Sequence, residues 1–257
     1  MWASGHSGNL PPLDKPHPQG WAPGKATTPG AGFFVRLAEL LSTDTYSYMP
    51  YPTPREFADI LQAQPVDDIV RRHVFEGVPY AFRKKPSTMQ RLRDHLCGKM
   101  NVVAENIAVV GSAKIGFSLS PDNFPREFSY YSDIDVVVVS EALFDEVWYT
   151  MLRWNYPRRA SLAGIDWDWS KHRKTDLYWG WFRPDAIRFE GLSFPEVLKP
   201  IRNLSATWFD AFQSLSLISD FSSRKVEGRL YRTWEHALRY HSDGLRQIKR
   251  ITEKGGA

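Results

Sequence analysis

Asn106-Ile-Ala-Val-Val-Gly-Ser-Ala-Lys114 and Ser132-Asp-Ile-Asp-Val-Val-Val-Val139 are the two stretches on which the fold of this chain turns. The second is aliphatic and mostly β-branched from Ile134 to Val139 apart from Asp135, a pattern that suits a strand covered on both faces. Side chains two positions apart on a strand share a face, so Asp133 and Asp135 project side by side, their Cα atoms roughly 7 Å apart at two strand rises. Two such carboxylates repel unless a cation lies between them. Hard oxygen donors suit Mg²⁺ or Mn²⁺, which keep water ligands and bind substrate phosphates. The first stretch reads as a strand, Ile107–Val110, that stops at Gly111-Ser112. Glycine there permits close approach of a backbone, and the serine hydroxyl and neighbouring amides suit a phosphate. Gly111 and Gly116 have the spacing of a P-loop, but Phe117 stands where that loop needs lysine, which excludes it.

A strand ending in Gly111-Ser112, followed by an Asp133-x-Asp135 strand with an aliphatic tail, resembles the DNA polymerase β-like nucleotidyltransferase superfamily. That group includes poly(A) and CCA-adding enzymes, oligonucleotide and cyclic-dinucleotide synthases, aminoglycoside nucleotidyltransferases and small antitoxin nucleotidyltransferases. The resemblance spans about residues 106–139 and the helix after them. It implies an α/β (α+β) class: a small mixed sheet flanked by helices, with helical N- and C-terminal additions. It also implies that Gly111 and Ser112 hold the triphosphate of an NTP, and that Asp133 and Asp135 bind two metal ions, Mg²⁺ or Mn²⁺. Lys114 reads as either a phosphate contact or a solvent-facing lysine.

Residues 113–132 make a longer connection than small members of the family use, so Leu119 to Ser129 is an insertion. The resemblance further implies a third carboxylate on a later antiparallel strand. Glu227, in Lys225-Val-Glu-Gly-Arg-Leu-Tyr231, fills that role because it lies in the best later strand, with Asp166, Asp168, Asp176 and Asp185 as rivals. The implied activity is transfer of a nucleoside monophosphate from an NTP, with release of pyrophosphate. The acceptor is a nucleic-acid 3′ end, a nucleotide, a protein hydroxyl or a small molecule. The alternative is a non-catalytic nucleotide-binding antitoxin or regulator.

The rest of the chain bounds these readings. It has 257 residues, a net charge of +4 and ten tryptophans, which promise a large buried aromatic payload. The single cysteine, Cys97, excludes an internal disulfide framework and any Cys-based zinc finger, and its apolar neighbours on a helix make it a small buried hydrophobe. The longest aliphatic run, Val136 to Val139, is far too short for a membrane span, and the N-terminal residues do not read as a signal peptide, so the expectation is a cytoplasmic protein. The small positive excess is compatible with a nucleic-acid partner and equally with plain solubility.

Residues 1–31 are dominated by Pro, Gly and Ser and read as a disordered or loosely packed tail; residues 32–257 read as one domain with a C-terminal helical region. Within it the spacing predicts a helix from Phe34 to Leu41 and an amphipathic helix from Val66 to Val74. A further helix is predicted from Ser87 to Met100, with Ser87 and Gln90 as a capping box. Ser140 caps a helix through Leu152; Trp208, Phe212 and Leu215 mark another; Val226–Tyr231 is a strand; and a long helix from Trp234 closes the chain. His236 and His241 lie five residues apart, the wrong spacing for a shared helix face, and read as packing. Asp166-Trp-Asp-Trp169 reads as a loop or helix start, and Arg202, Arg229 and Arg232 as phosphate or RNA contacts or as surface ion pairs.

Overall fold

The computed structural model describes residues 51–156, 174–186 and 196–255. The chain divides into two units, Met1–Ser47 and Tyr48–Ala257, and every described residue belongs to the second. The tail predicted over 1–31 and the helix over 34–41 therefore lie outside the described residues.

Helix α1, Pro54–Ala63, is not among the helices that the sequence spacing predicts. Thr53 is its N-cap: the Thr53 hydroxyl accepts from the Glu56 amide, and the Glu56 carboxylate accepts from the Thr53 amide at 2.7 Å. With proline at N1, this is a complete start signal. The predicted helix over 66–74 is found, but only Val66–Ile69 (α2) is α-helical; Val70–Phe75 widens into a π-turn. Helix α3, Ser87–Met100, lacks the capping box expected of it. Pro86 already has helical backbone angles (φ −57°, ψ −30°), so Ser87 falls inside the first turn instead of before it. Gln90 instead donates to Asp94 at 2.7 Å, one turn on. Helix α4, Gly111–Ile115, follows strand β1, Ile107–Val110. Strand β2, Ile134–Val139, leads into α5, Glu141–Asn155, whose N-cap Ser140 accepts from the Leu143 amide as its sequence suggests. Strand β3 is Trp181–Phe182, α6 is Lys199–Gln213, β4 is Val226–Tyr231 and α7 is Trp234–Gly255.

These strands form a small mixed sheet in the order β1-β2-β4-β3, so the class is α+β. β1 runs antiparallel to β2, β4 parallel to β2, and β3 antiparallel to β4. Both faces are covered, as the aliphatic β2 demands. Ile134, Val136, Val138 and Leu230 join one core with Leu92, Leu96, Phe144, Val147, Trp208 and Phe212 from α3, α5 and α6. Val137, Val139 and Tyr231 join the other with Phe57, Leu61, Val74, Leu238, Leu245 and Ile248. The tryptophans divide: Trp154 and Trp208 are buried, while Trp148 and Trp179 keep much of their surface in solvent. Among the described residues no helix is long and apolar enough to cross a membrane.

One glycine is required by packing alone. A Cβ on Gly228, in the middle of β4, would run into the Phe212 ring and lie 2.8 Å from Cζ2 of Trp208. Gly228→Ala is expected to cost about 1–3 kcal/mol, the usual penalty of overpacking a close-packed core, read as a lower urea midpoint with unchanged m-value.

Candidate functional site

The two parallel strands begin at the same end of the sheet, and β1 finishes there. In register, Val110 lies opposite Asp135, and Asp135 lies opposite Glu227. The strand pattern thus places a carboxylate on β2 beside one on β4, with Asp133 just ahead of β2. Gly111 turns the chain immediately after β1 with φ +64°, a conformation that favours glycine, and a Cβ there would sit 3.0 Å from Oδ2 of Asp135. The glycine is therefore needed twice, for the turn and for room beside the acid.

A cleft of about 700 Å³ opens over this end of the sheet. Gly111, Ser112, Asp133, Asp135 and Glu227, all singled out from the sequence, line it together, with Arg126, Arg183 and Arg229 supplying positive charge. The protein crowded around the open cleft desolvates the Asp135 carboxyl and pushes it up from the ordinary aspartate value; Glu227 and Asp133 push it further, while Arg229 and Arg183 oppose them. Glu227 is held by an ion pair to Lys225, and Nη2 of Arg183 lies 3.6 Å from it. The strand that carries Glu227 runs parallel to β2, not antiparallel as the resemblance implied. Of the rival acids, Asp166 and Asp168 lie outside the described residues, Asp185 is paired with Arg183 at 2.7 Å, and neither Asp185 nor Asp176 lines the cleft.

Hard carboxylate oxygens beside a cleft suit Mg²⁺ or Mn²⁺ in chemistry. Among the described residues, however, no group of three or more His, Cys, Asp or Glu is gathered closely enough to hold a metal by itself. Asp133 and Asp135 are the open donors, and Glu227 would have to leave Lys225 to join them. Substrate oxygens and water would supply the remaining positions, as Mg²⁺ commonly requires.

Lys114 is in neither of its expected places, at a phosphate or facing solvent. It is buried, and its ammonium donates to the carbonyl oxygens of Glu76 and Gly77, the latter at 2.8 Å, closing the end of the π-turn. The reason is that Gly111-Ser112 opens a helix, where two residues of advance rotate a side chain by about 200°. Ser112 faces the cleft, and Lys114 faces the core.

The predicted insertion is a closed excursion. Phe117 bridges Glu127, the Ser118 amide donates to Arg126 O at 2.8 Å, and the Phe128 amide donates to Gly116 O at 2.8 Å. Ser118, Ser120, Asn123 and Arg126 from this excursion wall the cleft. Arg224, just before β4, donates to Ser129 O at 2.8 Å and Ser132 O at 3.2 Å, tying the approach to β2 to the approach to β4. No motif in the sequence announced Arg183 or Arg224, because each is defined by its partners across the sheet. His241 packs against the Phe75 and Tyr240 rings with its Nε2 buried and without a partner, and burial pushes its pKa down to about 3. His236 Nδ1 lies 2.7 Å from the Thr233 hydroxyl at the start of α7.

No protein-family model matches the chain, and no curated protein or solved structure matches it either.

Burial, only partly offset by Glu76, holds the Lys114 pKa down at about 7, against an ordinary 10.5. Between those values the unfolded chain keeps a proton that the folded chain has released, so stability rises with pH across that window. Urea denaturation at pH 7, 8 and 9 is expected to show a rise approaching about 2 kcal/mol from this group. Lys114→Met, which has no proton to release, is expected to lack it; the same slope in both proteins would remove Lys114 as its source.

Proposed function

We propose that this chain is a metal-dependent nucleotidyltransferase with a nucleotidyltransferase-like fold, moving a nucleoside monophosphate from an NTP to an acceptor hydroxyl and releasing pyrophosphate. The observation that carries the reading is the in-register placement of Asp135 beside Glu227, with Asp133 and the Gly111 turn at the same end of the sheet. An acid pair open to a cleft beside a positive-φ glycine and a serine is the arrangement such a transfer needs.

In this reading Ser112 and the backbone around Gly111 receive the triphosphate, and Asp133 and Asp135 hold Mg²⁺ or Mn²⁺. The metal supplies charge stabilisation for the attacking and leaving oxygens of an in-line displacement. The chain's own contribution is positioning. The β2–β4 pairing fixes the spacing of the acids, and the excursion walls the cleft with hydroxyls and Arg126. The raised pKa of Asp135 means that a cation displaces proton affinity there, so metal binding strengthens as pH rises through the Asp135 range. Glu227 completes the donor set once Lys225 releases it.

A second reading, a nucleotide-binding antitoxin or regulator without turnover, is favoured by one observation: Glu227 is engaged by Lys225 and Arg183. The two readings separate in one assay. Each labelled NTP is incubated with the full chain and Mg²⁺, beside the Asp133→Asn/Asp135→Asn double variant. The expected outcome is label transfer and pyrophosphate release that the double variant lowers by at least about a hundredfold and that a chelator abolishes. Equal rates in both proteins would overturn the enzyme reading. Metal-dependent nucleotide binding without pyrophosphate release would replace it with the second.

A further inference from the structure

Arg229 stands on β4 two residues beyond Glu227 and lines the same cleft. Its guanidinium carbon lies 4.6 Å from the centre of the Trp181 ring and 4.4 Å from that of Tyr240. Its Nε is buried with no hydrogen-bond partner, and among the described residues no carboxylate forms an ion pair with it. Arginines elsewhere are better matched: Arg232 has Asp145 at 2.9 Å, and Arg246 has Asp67 at 2.8 Å. The Trp181 and Tyr240 rings and the Tyr231 and Tyr240 hydroxyls account for where Arg229 is held, and Asp135 feels its charge from along the cleft, but among the described residues no carboxylate stands at ion-pair distance from it.

A second arginine deepens the imbalance. Arg183 follows β3 by one residue and lines the cleft too; extending the β3–β4 register by one step sets it across from Arg229. Like charges directly opposite are destabilising unless something neutralises them. Asp185 pairs with Arg183 at 2.7 Å, whereas among the described residues Arg229 has only the longer-range field of Asp135 and no carboxylate in contact. An anion from outside the chain would supply that contact.

The strand order says which anion. Gly111-Ser112 follows β1 on one side of the acids, and Arg229 and Arg183 belong to β4 and β3 on the other. An in-line displacement puts the leaving and attacking oxygens on opposite sides of the reacting phosphorus. With pyrophosphate departing over Gly111-Ser112, the acceptor approaches from the arginine side. We propose that Arg229, with Arg183, is the binding position for a phosphate on the acceptor, so that the acceptor is a phosphorylated nucleotide, free or at the end of a strand, and not a protein hydroxyl or an uncharged small molecule. This rests on the nucleotidyl-transfer reading. The acceptor hydroxyl oxygen forms a bond to the α-phosphorus, and its proton passes to a cleft carboxylate. The bond from the α-phosphorus to the bridging oxygen breaks, and pyrophosphate leaves with that electron pair.

Two measurements test it separately from the reaction itself. Calorimetry on the full chain in metal-free buffer compares the four nucleoside 5′-monophosphates with the four nucleosides. At least one monophosphate is expected to bind about tenfold or more tightly than its nucleoside, a gain of the size of one charge-assisted hydrogen bond. Arg229→Gln is expected to erase the difference, and Arg229→Lys, which keeps the charge but loses the planar fork, to keep part of it. Melting curves confirm that both variants fold; if Arg229→Gln does not, Arg183→Gln takes its place. No advantage for any monophosphate, or an advantage untouched by the variants, overturns the proposal whether or not the protein turns over NTP.

Where transfer is observed, free monophosphates, 5′-phosphorylated oligonucleotides and an unstructured protein are offered as acceptors. Use of either phosphorylated class supports the proposal and identifies the source. Labelling of the protein alone overturns it while leaving nucleotidyl transfer intact. Loss of NTP affinity in Arg229→Gln with acceptor KM unchanged would reassign the arginine to the donor and overturn it as well.

Discussion

The parallel pairing of β2 with β4 is the constraint on which the rest depends. It sets Asp135 against Glu227 across one inter-strand spacing, in a place where desolvation by the cleft walls already raises the Asp135 pKa. Hydrophobic contact on both faces of the sheet holds these carboxylates close, since Val136 and Val138 anchor one core and Val137 and Val139 the other. A slip of β2 by one residue would exchange valine for valine between the two cores, but it would turn Asp135 from the cleft to the face packed by α3, α5 and α6, where a carboxylate has no partner among the described residues. Electrostatic tension at one end of the sheet is sustained by apolar packing along its length.

Charge around the cleft is arranged in answer to that tension. Lys225 and Arg183 attend Glu227, while Arg229 acts on Asp135 from further along β4. Arg224 bridges the two approaches with hydrogen bonds to carbonyls, fixing the mouth of the cleft without neutralising any acid. Acids and arginines therefore occupy neighbouring strands in one cavity, the arrangement from which the proposed function is argued.

Much of this could be seen before any coordinates. A run of β-branched residues announces a buried strand, and the period of two put Asp133 and Asp135 on one face. Ser140 capped α5 as its position suggested, and the strand with Glu227 lay where the pattern placed it. What stayed hidden depended on geometry beyond a local window. Ser87 has the spacing of a capping box, yet Pro86 is itself helical, so the helix starts earlier than the pattern implies. Gly111-Ser112 reads as a turn but opens a short helix, and that rotation carries Lys114 into the core. The direction of β4 relative to β2 is set by the path of the intervening chain, which no strand pattern records. Arg183 and Arg229 become a pair only when β3 and β4 meet.

The excursion between Gly116 and Phe128 has a consequence of another kind. Its neck is stitched by backbone hydrogen bonds at both 118–126 and 116–128, while Ser120 and Asn123 at its far end face the cleft. A loop closed at its base can lengthen or shorten at its tip at small entropic expense and without pulling on what lies below the stitches. Substitutions and length changes at the tip can thus reshape the cavity wall while β2 and its acids keep their register. The wall of the cavity can drift, and the acids on the strand below it stay where they are.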